Sequence, residues 1–133
     1  MLVVIDTNVL VSGLINPDGP PARVVDLLLA NVIQAAFDDR VLAEYDEVLA
    51  RKPFSFNRKH EHSLLDHVRL NGTQVSAPPL PAGEYPDRTD LPFAEVAFAA
   101  GAAELVTGNP AHFTFLPSIG IAVLSPQEFL EKL

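Results

Sequence analysis

Leu2-Val3-Val4-Ile5 opens the chain as four apolar, mostly β-branched residues with no polar alternation, and Asp6-Thr7-Asn8 breaks the run. An unbroken apolar run of this length predicts a strand buried on both faces, as in a parallel sheet. Residues 9–15 resume as an apolar helix or turn, and Asn16-Pro17-Asp18-Gly19-Pro20 is turn chemistry. Pro21 suits the first turn of a helix whose apolar positions are Val24, Val25, Leu28 and Leu29. Residues 32–37 read as a second strand. A helix follows with Val41, Leu42, Tyr45, Val48 and Leu49 on one face, ended by Pro53.

Residues 57–71 form another amphipathic helix, and 73–76 a short third strand. The segment 77–86, APPLPAGEYP, holds four prolines and reads as a loop. Asp90 opens a strong helix through Ala100 with Pro92 in its first turn and Gly101 as its stop. Residues 104–106 and 119–124 are the fourth and fifth strands. Ser125 and Glu128 form a capping box for a final helix. Strands alternating with helices predict an α/β domain around a mostly parallel sheet of about five strands with right-handed crossovers.

The 133 residues suffice for one domain, read as spanning 1–133 without a leader, and 48% hydrophobic residues supply a core. The absence of cysteine excludes a disulfide framework and thiolate catalysis. No run approaches the roughly 18 apolar residues of a membrane span, so a cytoplasmic protein is the expectation. Nine Lys and Arg stand against 17 Asp and Glu, for a net charge of −8. Spread evenly, such charge would repel nucleic acid.

The acids are not spread evenly. In open parallel sheets, ligands bind beyond the carboxyl ends of the strands. Asp6 ends the first strand, Glu44 lies in the helix after the second, Asp90 precedes the helix leading to the fourth, and Asn109 follows the fourth. Oxygen ligands with no Cys and no paired His suit Mg²⁺ or Mn²⁺ rather than zinc. Each residue also has a plain structural explanation: Asp6 and Asp90 as helix caps, Glu44 as a solvated helix acid. Their order and context make the metal case.

With these residues in place, the chain resembles the PIN-domain family, nucleases that include the VapC-type toxins of toxin–antitoxin pairs. Val3-Val4-Ile5-Asp6-Thr7-Asn8-Val9-Leu10 is similar to the first family motif, in which the Asp ligates metal. Leu42-Ala43-Glu44-Tyr45 with Glu47-Val48-Leu49 is similar to the second, which supplies a Glu. Asp87-Arg88-Thr89-Asp90 with Phe93, Glu95, Val96 and Ala97 resembles the third, with Asp90 the best counterpart of the central acid and Asp87 the alternative. Leu105-Val106-Thr107-Gly108-Asn109 resembles the fourth, and Leu124-Ser125-Pro126 with Glu128-Phe129-Leu130 the tail of one subgroup. The chain departs from the family where the fourth motif often carries Asp and this sequence has Asn109, and where a further acid sometimes stands at His112.

The resemblance implies a three-layer α/β/α domain that hydrolyses RNA phosphodiesters with Mg²⁺ or Mn²⁺. It implies Asp6, Glu44 and Asp90 as catalytic metal ligands, with Asn109 as a neutral ligand. One tight metal with a second arriving on substrate phosphate fits this set better than two strongly held ions. Thr7, Asn8 and Thr107 flank the acids and could orient them, or cap the adjacent helices. His112 could contact phosphate or donate a proton. The simpler reading packs it beside Phe113, since nothing in the sequence gives it a partner.

The basic residues gather between 51 and 70, where Arg51, Lys52, Arg58, Lys59 and Arg69 outnumber Glu61 and Asp66 for a local +3. His60, His62 and His67 share the stretch. This region is a candidate guide for the RNA backbone, or an ordinary solvated helix. By resemblance, the expected partners are an RNA substrate, a cognate antitoxin and a second copy in a homodimer, with no membrane. A phospho-acceptor or phosphatase-like domain would also place Asp at strand ends. A receiver-type site, however, needs a late Lys, and the only Lys after residue 59 is Lys132 beside the terminus. The second alternative is a PIN-like binding protein with weakened catalysis, which Asn109 keeps open.

Overall fold

A computed structural model describes residues 1–51 and 58–133. The chain runs β1 (Leu2–Ile5), α1 (Thr7–Ile15), α2 (Pro20–Leu29), β2 (Gln34–Phe37), α3 (Asp39–Leu49), α4 (Arg58–Asn71) and β3 (Thr73–Gln74). It continues through α5 (Leu91–Ala100), β4 (Glu104–Val106), β5 (Ala122–Leu124) and α6 (Pro126–Lys132). Short 3-10 turns precede α5 at Arg88–Asp90 and link β4 to β5 at Pro110–Phe113 and Pro117–Ile119.

The five strands form one sheet in the order β3-β2-β1-β4-β5, and every pairing is parallel. Helices cover both faces in a three-layer α/β/α arrangement. Helix α2 packs with α1 and α6, α3 packs with α4, and α5 lies against β1, β2 and β4. Val3, Val4 and Ile5 of the central strand are fully buried, as an apolar run without alternation requires. Phe37, Tyr45, Phe93, Phe113 and Phe129 are the largest side chains enclosed with them.

Because β2 and β4 flank β1 on opposite sides, the chain reverses its direction across the sheet at β1 and β4. A crevice at the carboxyl ends of two such strands is where α/β sheets bind ligands. Ile5 is in register with Val106, and the ladder continues as the Asp6 N–H donates to the Val106 carbonyl at 2.9 Å. Asp6 and Thr107 therefore leave the sheet side by side.

Several expected boundaries move. The second strand starts at Gln34, because Asn31 takes a left-handed φ of 59° and leaves Val32 exposed in a turn. The fifth starts at Ala122, because Ile119 closes a 3-10 turn and Gly120 has φ 88°. The third shrinks to two residues, although the Val75 N–H still donates to the Phe37 carbonyl at 2.9 Å. Gly101 ends α5 with φ 64°, a conformation that suits glycine. Gly72 lies so close to β2 that a Cβ would stand 2.5 Å from the Ala35 carbonyl oxygen. Ser125 and Glu128 form the expected capping box. Helix α3 ends at Leu49; the assignment of its stop to Pro53 lies outside the described residues, as does the start of the next helix at Asn57.

Candidate functional site

Asp6 leaves the central strand almost fully enclosed, at 5% exposure, in the N-cap position of α1. Its carboxylate does not cap that helix. Instead Oδ2 accepts from the Thr107 hydroxyl at 2.7 Å and from the Asn8 amide at 3.2 Å. The Asn8 side-chain Oδ1 accepts from the Gly108 N–H at 3.0 Å, and Thr107 Oγ1 accepts from the Asn109 N–H at 2.9 Å. The first and fourth motifs are thus laced together through their polar residues. Thr7, Asn8 and Thr107 act on the acids and on each other's loops rather than as simple caps.

Glu44 is half-buried on α3, and its Oε2 accepts from the Thr7 hydroxyl. The next residue, Tyr45, is fully buried and donates its phenolic hydrogen to the Ile5 carbonyl, one residue before Asp6. The sequence shows Tyr45 only as a member of the apolar face; its hydroxyl also locks α3 to β1. Burial pushes the phenol far above its ordinary pKa, so it stays a donor.

Asp90 is the N-cap of α5, yet its side chain makes no cap bond either. Its Oδ2 lies 2.7 Å from His112 Nδ1. The expectation that His112 would pack beside Phe113 without a polar partner is therefore corrected: the 3-10 turn Pro110–Phe113 carries the imidazole to Asp90. Asp87 caps the preceding turn, with Oδ1 accepting from the Thr89 N–H at 2.9 Å and the Thr89 hydroxyl at 2.6 Å. Ligand atoms of Asp87, Asp90 and His112 lie within 4.8 Å of one another.

These groups line one open cleft together with Arg51 and the exposed Asn109. Asp6 and Glu44 share the cleft but stand outside the tight group of Asp87, Asp90 and His112. The other basic candidates scatter. Arg51 bonds Glu47 at 3.0 Å on the cleft side, whereas Arg69 bonds Asp66 at 3.1 Å and lines a separate groove between α3 and α4. Lys59 is exposed at the start of α4, and Lys52 and the Arg58 side chain lie outside the described residues.

The electrostatics follow from burial and crowding. Desolvation pushes the Asp6 carboxyl up to about 6 against the Thr107 hydrogen bond, with Asp90 and Glu44 adding repulsion. Asp90 is also raised, by partial burial and by Asp87, while His112 opposes the shift. Asp87 is lowered, chiefly by the two bonds from Thr89. The donor set fits a divalent cation: carboxylates crowd one another, and a positive charge would relieve the strain on the most buried of them.

A second network joins residues that the sequence does not show as partners. Glu95 is buried within α5; its Oε1 accepts from Arg40 at 2.8 Å and its Oε2 from the Leu80 N–H at 2.7 Å. Arg40 also pairs with Asp38 at 2.8 Å, so these residues tie the loop of residues 77–86 to α3 and α5. The available signal was Glu95 itself, the only charge in LPFAEVAFAA.

Among curated proteins none matches this chain. Its fold is similar to that of a chain in the crystal structure of VapBC2 from Rickettsia felis bound to a DNA fragment from their promoter. That likeness has a TM-score of 0.58 and 22% sequence identity, covering 94% of this chain and 98% of the other. The family model described as PIN domain matches residues 2–111. With that match spanning the sheet's first four strands and every acid of the cleft, the chain belongs to the PIN domain family.

Proposed function

We propose that this protein is a metal-dependent endoribonuclease, built as one domain over residues 1–133, and the toxin of a toxin–antitoxin pair. Asp6, Glu44 and Asp90 act as the catalytic metal ligands, with Asn109 as a neutral ligand and Mg²⁺ or Mn²⁺ as the ion. The observation that carries the reading is the nearly enclosed Asp6 carboxylate, which shares one cleft with Glu44 and Asp90. A buried acid held beside two others is unfavourable alone and favourable around a cation.

When bound, a divalent ion would polarise a phosphoryl oxygen and lower the pKa of a water that attacks phosphorus. The chain's own residues hold that arrangement. Thr107 and Asn8 fix the Asp6 carboxylate, Thr7 fixes Glu44, and His112 fixes Asp90. Arg51 on the cleft rim offers a contact to the RNA backbone. Membership of the PIN family and the likeness to a VapBC2 chain support the nuclease and antitoxin assignments. A homodimer and a cytoplasmic location go with that assignment. Among the described residues no helix is long and apolar enough to cross a membrane.

The test is cleavage of RNA by pure protein with Mg²⁺ or Mn²⁺, which should disappear in Asp6→Asn. Cleavage that survives chelation, or that Asp6→Asn leaves intact, would refute the reading. The alternative of a PIN-fold binding protein rests on the neutral Asn109. It is favoured if no metal supports cleavage and Asp6→Asn changes nothing.

A further inference from the structure

We infer that His112 makes the Asp87–Asp90 side of the cleft a mixed nitrogen–oxygen cation site that takes a first-row transition ion in preference to Mg²⁺. The inference deepens the nuclease reading and rests on it for the purpose of the site.

Three features carry it. The ligand atoms of Asp87, Asp90 and His112 lie within 4.8 Å of one another and come from two segments, the turn before α5 and the turn after β4. The separation of 2.7 Å between His112 Nδ1 and Asp90 Oδ2 is close to that of neighbouring ligands on one ion. At metal–ligand distances near 2.1 Å, adjacent octahedral ligands stand about 3 Å apart, so a small opening admits an ion between them. Third, the acids are oriented with capacity to spare. Both Thr89 bonds fall on Asp87 Oδ1, and among the described residues no donor reaches Oδ2.

The nitrogen decides the ion. Asp6 and Glu44 offer oxygen only, which suits Mg²⁺; an imidazole is a poor ligand for Mg²⁺ and a good one for later first-row ions. His112 is half-exposed, so an ion would reach it without opening the core. The cleft would then hold two unlike positions that share Asp90, an all-oxygen one with Asp6 and Glu44 and a mixed one with Asp87 and His112.

The test is calorimetric titration of tag-free protein with Co²⁺ and with Mg²⁺, joined to electron spin-echo measurements on the Mn²⁺-loaded protein. The wild type should bind Co²⁺ in the presence of a large excess of Mg²⁺ and show nitrogen modulation from a directly bound imidazole. His112→Ala should lose about tenfold in Co²⁺ affinity and the nitrogen signal, with Mg²⁺ binding little changed. His112→Asp should bind both ions and lose the discrimination, and Asp6→Asn should keep the nitrogen signal. Equal competition by Mg²⁺ in the wild type, or an unaltered Co²⁺ affinity in His112→Ala, would overturn the inference. RNA cleavage is scored separately. Cleavage without a nitrogen signal leaves the nuclease reading standing and removes this one, and a nitrogen signal without cleavage does the reverse.

Discussion

Tyr45 donates its buried hydroxyl to the Ile5 carbonyl, and each partner is the immediate chain neighbour of a cleft acid, Glu44 in one case and Asp6 in the other. The bond therefore sets how α3 stands against β1, and with it how Glu44 stands against Asp6. Phenylalanine at this position would keep the ring and its contact with Phe93, whose centroid is 6.1 Å away. It would leave the Ile5 carbonyl short of a donor. Tyr45→Phe is expected to lower unfolding stability by about 1–2 kcal/mol in urea titrations and to weaken divalent-ion binding. An unchanged metal-induced shift in Tm would show that Thr7 alone positions Glu44.

Asp6 makes stability depend on pH. Its carboxyl sits at about 6 in the fold against an ordinary 3.8, so the folded state holds a proton that the unfolded chain releases earlier. The contribution is full below pH 4 and falls as pH rises toward 6, then stays lost above it. The size is about 3 kcal/mol at most, from the conversion of 1.36 kcal/mol per pKa unit. Without metal, wild type should lose stability between pH 4 and 6 while Asp6→Asn shows a flatter profile in that window. Divalent ions should raise the Tm of wild type at pH 7 and do little for Asp6→Asn. A mutant whose profile parallels wild type would place the titration elsewhere.

How far the sequence reached depends on whether a residue's role is local or made by contact. The strand at residues 2–5 and the capping box at Ser125 and Glu128 were legible, because an unbroken apolar run and a local cap are written in consecutive residues. So was the gathering of Asp6, Glu44 and Asp90 at one cleft, since topology carries strand ends to one edge. The contact of His112 with Asp90 is not legible in the sequence, because the two lie 22 positions apart and no local pattern records that pairing. The same holds for Arg40 and Glu95, 55 positions apart. The basic stretch at 51–70 looked like one surface in the sequence, yet Arg51 and Arg69 line different grooves.

The neutral Asn109 should limit how strongly the cleft holds cations. Asn109 is exposed at the cleft and its N–H is already anchored on Thr107. Asn109→Asp adds a carboxylate to a group that already repels itself. The metal-free protein should be less stable than wild type at pH 7 by up to about 1 kcal/mol, and the Tm rise on adding Mn²⁺ should be larger. Thermal melts with and without Mn²⁺ measure both. A smaller Mn²⁺ shift than in wild type would mean that residue 109 does not face the ion.

Glu95 ties α5 to α3 and to the loop of residues 77–86 by holding both Arg40 and the Leu80 N–H. Arg40→Met removes a partner that is itself 46% exposed and leaves a buried carboxylate at 6% exposure. The expected cost is about 2 kcal/mol, between a charged hydrogen bond and a broken buried pair. Glu95→Gln should cost less, since an amide can still accept from the Leu80 N–H. Chemical denaturation ranks the two, and Glu95→Gln as the worse variant would show that Arg40 contributes little.

Arg51 and Arg69 separate a guiding residue from a merely basic one. Both are half-exposed and both bond a nearby acid: Arg51, just past the end of α3, bonds Glu47, and Arg69 bonds Asp66 within α4. Only Arg51 lines the cleft that holds Asp6, Glu44 and Asp90. If RNA enters there, Arg51→Glu should weaken binding of single-stranded RNA to a cleavage-dead Asp6→Asn protein. It should also reduce the slope of log affinity against log salt by about 0.7, the value for one phosphate contact on a single strand. Arg69→Glu changes the net charge by the same amount but lies in the groove between α3 and α4. It should alter affinity only through the weak, screened field of the whole molecule. Filter binding across a salt series tests the pair. Equal losses would mean that net charge governs RNA binding, and a larger loss for Arg69→Glu would move the RNA path to the other groove.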